Sequence, residues 1–431
     1  MLKQPAASSR REFLQTTGAA AGAAAATAAL LHNLPAVHAA GNDVLKVGLV
    51  GCGGRGTGAA TQAANAGEDV KIVALCDMFK EPLERCRNYL KKDLGAKYAV
   101  TDEKCFSGFD GYKQLIDSGI DVVLLASPPH FRPMQIEYAV QKGKHVFAEK
   151  PVAVDAPGCR KVLAACAEAK KKNLAVVSGL CWRYDPPKRE VMKHVHGGGV
   201  GDIVALQCTY NTGPLWHRGR QPEWSEMEYQ LRNWLYFTWL SGDHNVEQHI
   251  HSLDKMAWAM QDAPPLKAVG LGGRQVRTDA KWGNIYDHHS VVYEWANGVK
   301  LFANCRQMPG CANDTSDHIF GTKGTCDVMR GVVLDKGQQT WKVPNAPRID
   351  MYQNEHNELF ASIRAGKPIN DGEWMTKSTL LAILGRMATY TGQVITWEQA
   401  LNSKEDLSPK EYKLGDVPVP EVPKPGVTKF S

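Results

Sequence analysis

Between residues 44 and 181, short apolar runs alternate with amphipathic stretches. LKVGLVG, VKIVALCD, DVVLLASPP, KHVFAEKP and LAVVSGL are close to continuous in Val, Leu, Ile and Ala. A Gly/Ala-rich stretch, KEPLERCRNYLKKDL, PMQIEYAVQKG and residues 155–172 separate them and read as helices. Strands that are apolar at nearly every position are buried on both faces, the condition of a parallel sheet covered by helices on each side. From residue 182 the texture changes. GDIVALQCTYN, HHSVVYEWANG and VKLFANCRQ are longer, partly alternating runs rich in Val, Tyr and Phe. Such alternation predicts an antiparallel sheet with one open face, and Asn297-Gly298 predicts a tight hairpin. EHNELFASIRAGKPIN and KSTLLAILGRMATYTG return to helix, and PVPEVPKPG is a Pro-rich extended end. The pattern predicts an α/β chain in two parts. Residues 40–181 form a doubly wound parallel sheet, and residues 182–431 an α+β domain with a large, mostly antiparallel, open-faced sheet.

Residues 1–39 stand outside this pattern. Ser9-Arg10-Arg11-Glu12-Phe13-Leu14-Gln15 precedes an uncharged, Ala-rich run over 16–31, and Val37-His38-Ala39 offers small residues at signal-peptidase spacing. The three parts in this order resemble a twin-arginine export signal, which predicts a periplasmic or otherwise exported protein that folds before it crosses. The run is too short and too weakly apolar to span a bilayer, for which about 20 apolar residues are needed, and no later window is apolar enough. Removing Lys3, Arg10, Arg11 and Glu12 with this segment lowers the net charge from +6 to +4. That balance leaves no electrostatic footprint for nucleic acid. The 11 cysteines are scattered and include no C-x-x-C pair, which argues against a disulfide scaffold. Folding in a reducing compartment makes most of them small buried side chains.

Gly51-Cys52-Gly53-Gly54-Arg55-Gly56 is G-x-G-x-x-G, placed directly after the first predicted strand and at the start of a helix. In that context Gly51, Gly53 and Gly56 allow a tight turn and let a pyrophosphate approach backbone N–H groups at the helix N-terminus. Asp77 ends the second strand, where a carboxylate binds both ribose hydroxyls and repels a 2′-phosphate. NAD is therefore expected rather than NADP. Arg55 reads either as a phosphate contact or as a solvated side chain.

Glu149-Lys150-Pro151 closes a later strand at the carboxyl edge of the same sheet, where ligands bind in such folds. Pro151 keeps Lys150 out of the helical region. Together with the glycine motif, the SPPH turn over residues 127–130, the GKHV run over 143–146 and EKP, the whole mature chain resembles the glucose–fructose oxidoreductase and inositol dehydrogenase family (Gfo/Idh/MocA). The resemblance implies a Rossmann domain, with Ser127, Pro128, His130 and Glu149 at the cofactor. It also implies that Lys150 reaches toward nicotinamide and substrate. Trp182-Arg183-Tyr184 matches a position near the nicotinamide end, making Arg183 and Tyr184 substrate candidates.

The stretch SGDHNVEQHIHSLD, residues 241–254, carries three histidines and three carboxylates. Read as one helix, it sets Val246, Ile250 and Leu253 on an apolar stripe and Glu247, His251 and Asp254 on the adjoining face. The family's D-x-G-x-H-x-x-D motif aligns on His251 and Asp254. Glu247 and His249 replace its first aspartate and its glycine. His249 is expected to pack or face solvent. A structural polar face, a zinc site built from His244, Glu247 and His251, and acid–base work all suit these residue types. H-E-x-x-H is absent, so no metal is assigned. In the acid–base reading His251 takes the hydroxyl proton, Lys150 stabilises the developing alkoxide, Glu247 orients the imidazole, and His244 lines the substrate pocket.

WHRGRQPEW and YQLRNWLYFTW, residues 216–224 and 229–239, mix indole, arginine and histidine. They suit a sugar ring or, equally, a core with surface charges. The resulting expectation is an exported, NAD-dependent oxidoreductase acting on a sugar, sugar derivative or cyclitol. Two alternatives stand beside it: an NAD-dependent glycosidase working through transient ring oxidation and elimination, and a non-catalytic carbohydrate-binding protein on a dehydrogenase scaffold. The open sheet face predicts a homo-oligomer, dimer or tetramer.

Overall fold

The computed structural model describes residues 43–345 and 349–431, so the export-signal segment lies outside the described residues. Six parallel strands form the first sheet: β1 (Leu45–Val50), β2 (Val70–Asp77), β3 (Cys105–Ser107), β4 (Val122–Leu125), β5 (His145–Ala148) and β6 (Val176–Ser178), in the order β3-β2-β1-β4-β5-β6. Alternate residues serve opposite faces. Val47, Leu49, Val122, Leu124 and Phe147 join one buried cluster, and Val50, Val123, Leu125, Val146 and Ala148 join another. This two-sided burial is why the strands read as continuous apolar runs. The strand order reverses between β1 and β4, and the crevice at that switch point is where ligands enter such sheets.

The second sheet holds nine strands. These are β7 (Ile203–Thr212), β8 (Lys267–Gly273), β9 (His288–Glu294), β10 (Lys300–Gln307), β11 (Asp317–Gly321), β12 (Gly324–Asp327), β13 (Val332–Asp335), β14 (Gln338–Lys342) and β15 (Ile395–Thr396). Their order is β14-β13-β12-β11-β7-β10-β9-β8-β15, antiparallel throughout except where β10 runs parallel to β7. The β9–β10 hairpin turns at Gly298, with φ +84°. Helices Ile250–Ala259 and Gly372–Thr391 supply buried residues that pack with one face. The other face leaves Val204, Val269, Leu271 and Phe302 exposed. Val269, Val292 and Phe302 stand side by side on adjacent strands.

The chain then returns to the first sheet. Helix Met351–Arg364 reaches the glycine-turn helix Gly54–Asn65, where Gln353 Nε2 donates to the Gln62 carbonyl at 2.9 Å. Val176 N donates to Ile369 O at 2.9 Å, and Asp371 N donates back to Val176 O at 2.8 Å. The tail beyond residue 403 runs as an extended strap tied to both halves: to the second through Arg386 to Glu405 and Tyr286 Oη to Pro423 O at 2.9 Å, and to the first through Leu407 N to Asp155 Oδ2 at 3.1 Å.

Candidate active site

The glycine turn opens on a cavity of about 1020 Å³ that Asp77, Ser127 and Pro128 also line. Gly51 has φ +99°, and a Cβ there would lie 2.5 Å from the backbone of residues 126 and 127. At Gly56 a Cβ would meet Gly51 O at 1.8 Å, so the helix can start this close to β1 only with glycine. Gly53 and Gly54 differ, because a Cβ at either has no protein atom within 4 Å. Their open backbone at a helix N-terminus is the cradle a pyrophosphate fills. Asp77 Oδ2 accepts from Cys52 N at 2.7 Å and Oδ1 from Phe79 N at 3.0 Å. Each oxygen keeps a lone pair for a ribose hydroxyl. Burial lifts this carboxyl above its ordinary range, and the two N–H donors work against that rise. The residues fit a dinucleotide.

Two strands along the same edge, Lys150 projects from the end of β5. Its Nζ donates to Glu247 Oε1 at 2.7 Å and to Glu247 O at 2.5 Å. An ammonium has three donors, so one is left for a ligand. Lys150 and Glu247 are both largely buried, with side chains 14% and 11% exposed. His251 is half-buried, and its Nδ1 lies buried with no hydrogen-bond partner among the described residues. Burial, then the charges of Lys150 and Lys255, hold its pKa well below the usual histidine value, so the ring is neutral near pH 7.

The stretch around these residues is not one helix. It breaks into His244–Glu247 and Ile250–Ala259, with Gln248 at φ −110° and ψ −49° between them. The one-turn relation expected for Glu247 and His251 is lost at that break. Glu247 binds Lys150 instead of orienting the imidazole, since a largely buried ammonium requires a counter-charge. His249 enters the core, with Nδ1 3.0 Å from Asn245 Oδ1 and Nε2 3.4 Å from Cys208 Sγ.

Several expected ligand contacts prove to be structural. Arg55 Nε donates to Glu149 Oε1 at 2.5 Å and Nη2 to Glu355 Oε1 at 3.3 Å, with the guanidinium 4.8 Å from the Tyr352 ring. Two buried carboxylates thus claim it ahead of a phosphate, and Glu149 is an anchor rather than a cofactor contact. Arg183 is fully engaged: Nε reaches Asp254 Oδ1 at 3.0 Å, Nη2 reaches Asp262 Oδ1 at 2.6 Å, and Trp374 lies 4.2 Å from the guanidinium carbon. Asp254 is therefore the arginine's counter-charge, also held by Ser378 Oγ at 2.7 Å. Tyr184 Oη donates to Asp371 Oδ2 at 2.5 Å inside the protein. His130 turns from the cavity toward Tyr412 Oη, 2.8 Å away, and burial pulls its pKa down to about 4. Ser127 and Pro128 do line the cavity, Ser127 Oγ donating to Gln135 Oε1 at 2.6 Å.

His244 is 1% exposed and so does not border a substrate pocket. Its Nδ1 pairs with Asp243 Oδ1 at 2.9 Å, and His289 Nε2 lies 3.3 Å from the same oxygen. Asp243 Oδ2 accepts from Tyr390 Oη at 2.5 Å and from Tyr286 N at 2.9 Å. Asp243, His244 and His289 are the set that could hold a metal ion among the described residues. They replace the His244, Glu247, His251 trio considered from sequence, of which His244 binds Asp243 and Glu247 binds Lys150.

The aromatic and arginine-rich segments expected at a sugar ring or in the core also reach the nucleotide cavity. Trp216, Arg218, Leu231, Arg232 and Trp234 line the dinucleotide cavity from the second half of the chain. Much of the rest of that aromatic segment, including Tyr229, Tyr236, Phe237 and Trp239, forms a third buried cluster. Indole and arginine interleaving was the available signal. Only the fold shows that this segment crosses to the first sheet.

Residues 45–177 match the oxidoreductase family with an NAD-binding Rossmann fold named for Gfo, Idh and MocA. A glycosyl hydrolase family 109 protein of Phocaeicola vulgatus is 26% identical over 312 residues, which is 69% of this chain and 58% of that protein. The chain thus spans a little over half of that relative's length. An inositol 2-dehydrogenase of Salmonella typhimurium is 25% identical over 339 residues, covering 75% of this chain and 87% of the enzyme. In structure, a myo-inositol 2-dehydrogenase from Lactobacillus plantarum superposes with a TM-score of 0.63 at 20% identity, over 82% of this chain and 99% of that one. Residues 45–177, under a third of the chain, are thus similar to the NAD-binding Rossmann domain of the Gfo/Idh/MocA oxidoreductases, and the parallel six-stranded sheet they build is the one such a domain has.

Proposed function

We propose that this protein is an exported NAD-dependent oxidoreductase that takes hydride from a secondary alcohol carbon of a sugar, sugar derivative or cyclitol. The observation that carries this reading is the meeting of Lys150 and Glu247 at the carboxyl edge of the first sheet, near the neutral His251 and one residue on from Glu149, which binds Arg55 of the dinucleotide cavity. NAD, when bound, supplies the hydride acceptor. The chain's own residues handle the proton and the oxygen. His251 accepts the hydroxyl proton as the carbonyl forms, because its buried, unpartnered nitrogen is what a substrate hydroxyl would satisfy. Lys150 gives its remaining N–H to the same oxygen and stabilises the developing negative charge. Glu247 holds Lys150 in place and balances its charge. The similarity to an inositol 2-dehydrogenase supports a cyclic polyol as substrate.

A second reading has its own support, the similarity to a family 109 glycosyl hydrolase. In it the same oxidation is transient. A ring ketone acidifies the neighbouring C–H, the glycosidic substituent leaves, water adds, and the ketone is reduced again. Export, proposed from Arg10-Arg11 and the apolar run that follows, favours such a closed cycle, because free NAD is scarce outside the cytoplasm. Oligomerisation through the row of exposed Val269 and Phe302 with half-buried Val292 between them belongs to the same proposal.

Denaturing the purified protein should release NAD. The intact protein should then reduce its nicotinamide when given a panel of cyclitols, free sugars and glycosides. Net NADH favours dehydrogenation, and glycoside cleavage without net NADH favours the eliminating cycle. Neither outcome with any carbohydrate, from protein that holds NAD, supports the non-catalytic alternative.

A further inference from the structure

Residues 213–237 leave β7 and cross to the first sheet, where they form one wall of the dinucleotide cavity. The segment is fastened at both ends. Within it, Arg218 N donates to Asn233 Oδ1 at 2.8 Å, Asn233 Nδ2 returns a bond to Arg218 O at 3.1 Å, and Tyr236 Oη donates to Trp216 O at 2.9 Å. Across to the first sheet, Arg232 Nη1 meets Glu81 Oε1 at 2.5 Å, and its guanidinium lies 3.8 Å from the Phe79 ring centre. Phe79, Phe109 and Phe131 pack against the segment's own buried cluster. A wall built this way is a small core, which does not open as freely as a surface loop.

The arginines on the cavity wall differ in one respect. Arg55 and Arg232 are committed to carboxylates. Arg85 and Arg218 have no carboxylate within ion-pair distance among the described residues. Of these two, Arg218 is the one that the second half of the chain brings to the cavity, with its guanidinium 5.6 Å from the Trp216 ring. The strongly anionic part of NAD is its pyrophosphate, and a planar guanidinium suits it well.

We propose that residues 213–237 are a fixed cover over the dinucleotide, latched by Arg232 to Glu81 and Phe79, that presents Arg218 to the pyrophosphate and keeps NAD bound from one turnover to the next. This inference rests on the reading of the cavity as an NAD site. It adds the second half of the chain to that site and makes the nucleotide a resident group rather than a diffusing co-substrate.

The test is release of nucleotide, which does not depend on turnover. Holoprotein is moved into NAD-free buffer, and bound nucleotide is measured after denaturation at successive times. Arg218→Ala and Glu81→Gln alter exposed or half-exposed side chains, so the fold persists in both. Wild type should hold its NAD for hours. Each variant should release it at least tenfold faster, and added salt should speed release from wild type but not from Arg218→Ala. Release from both variants at the wild-type rate overturns the cover. Acceleration in Arg218→Ala alone overturns the latch and keeps the phosphate contact. If wild type binds no added NAD in a calorimetric titration, the cavity reading itself fails and not merely the cover.

Discussion

At the residue scale, the glycine turn makes two opposite predictions from one motif. Gly56→Ala drives a Cβ into Gly51 O, so it should cost on the order of 2 kcal/mol or more and remove NAD binding as well. Gly53→Ala meets no protein atom, so its melting temperature should match wild type while NAD affinity falls, because the added methyl stands where the phosphates approach. Calorimetry with NAD, set beside thermal unfolding, separates the two. Lys150→Ala and His251→Ala should each lower turnover by about 10²–10⁴-fold while bound NAD stays at the wild-type level. The acid limb of kcat/KM follows from the His251 environment. Only the neutral ring accepts a proton, and burial beside Lys150 and Lys255 lowers its pKa, so activity should persist below the usual histidine value of about 6.5 and fall only at lower pH. A limb at or above that value would contradict the assignment.

At the element scale, the break between helices His244–Glu247 and Ile250–Ala259 decides the chemistry. It turns Glu247 toward Lys150, 97 residues away in the chain, while Asp254 faces Arg183. Arg183→Ala should therefore act as a folding lesion. It leaves Asp254 at 0% exposure without its charge partner, a loss of about 3–5 kcal/mol that shows in denaturant unfolding rather than in substrate KM. A change in KM at unaltered stability would return Arg183 to the substrate pocket. Strand and helix positions were legible from periodicity, because continuous apolar runs and the Asn297-Gly298 turn are local signals. The break at Gln248 was not, because what marks it is tertiary: the Glu247 carbonyl, which a continuous helix would give to a backbone N–H, accepts from Lys150 Nζ instead.

At the scale of the whole molecule, buried histidines set the response to acid. His130, His244, His249 and His356 all have lowered pKa values, burial being the leading cause. The unfolded chain binds their protons near pH 6.5 and the folded chain does not, so their stabilisation is complete above that pH and is lost as pH falls toward their folded values. His194 and His251 are lowered too, making six such histidines. The raised carboxyls of Asp371, at about 6, Glu355, Asp77, Asp155 and Asp185 act in the opposite direction and number five. The melting temperature should therefore fall between pH 7 and pH 5, with a slope on the order of 1 kcal/mol per pH unit for each net proton. Phe302→Asp on the open sheet face should shift an oligomer to monomer in sedimentation, without lowering the melting temperature of the single chain.

The sequence by itself determined the order and type of the elements, the two kinds of sheet and the glycine cradle, since each depends on residues close together in the chain. Tertiary structure alone decided which buried charges face each other. Arg55 meets Glu355 across 300 positions, Lys150 meets Glu247, and an aromatic segment of the second half walls the first half's cavity. The physical reason is that a buried charge must find its counter-charge wherever the fold places one, and no local pattern records that address.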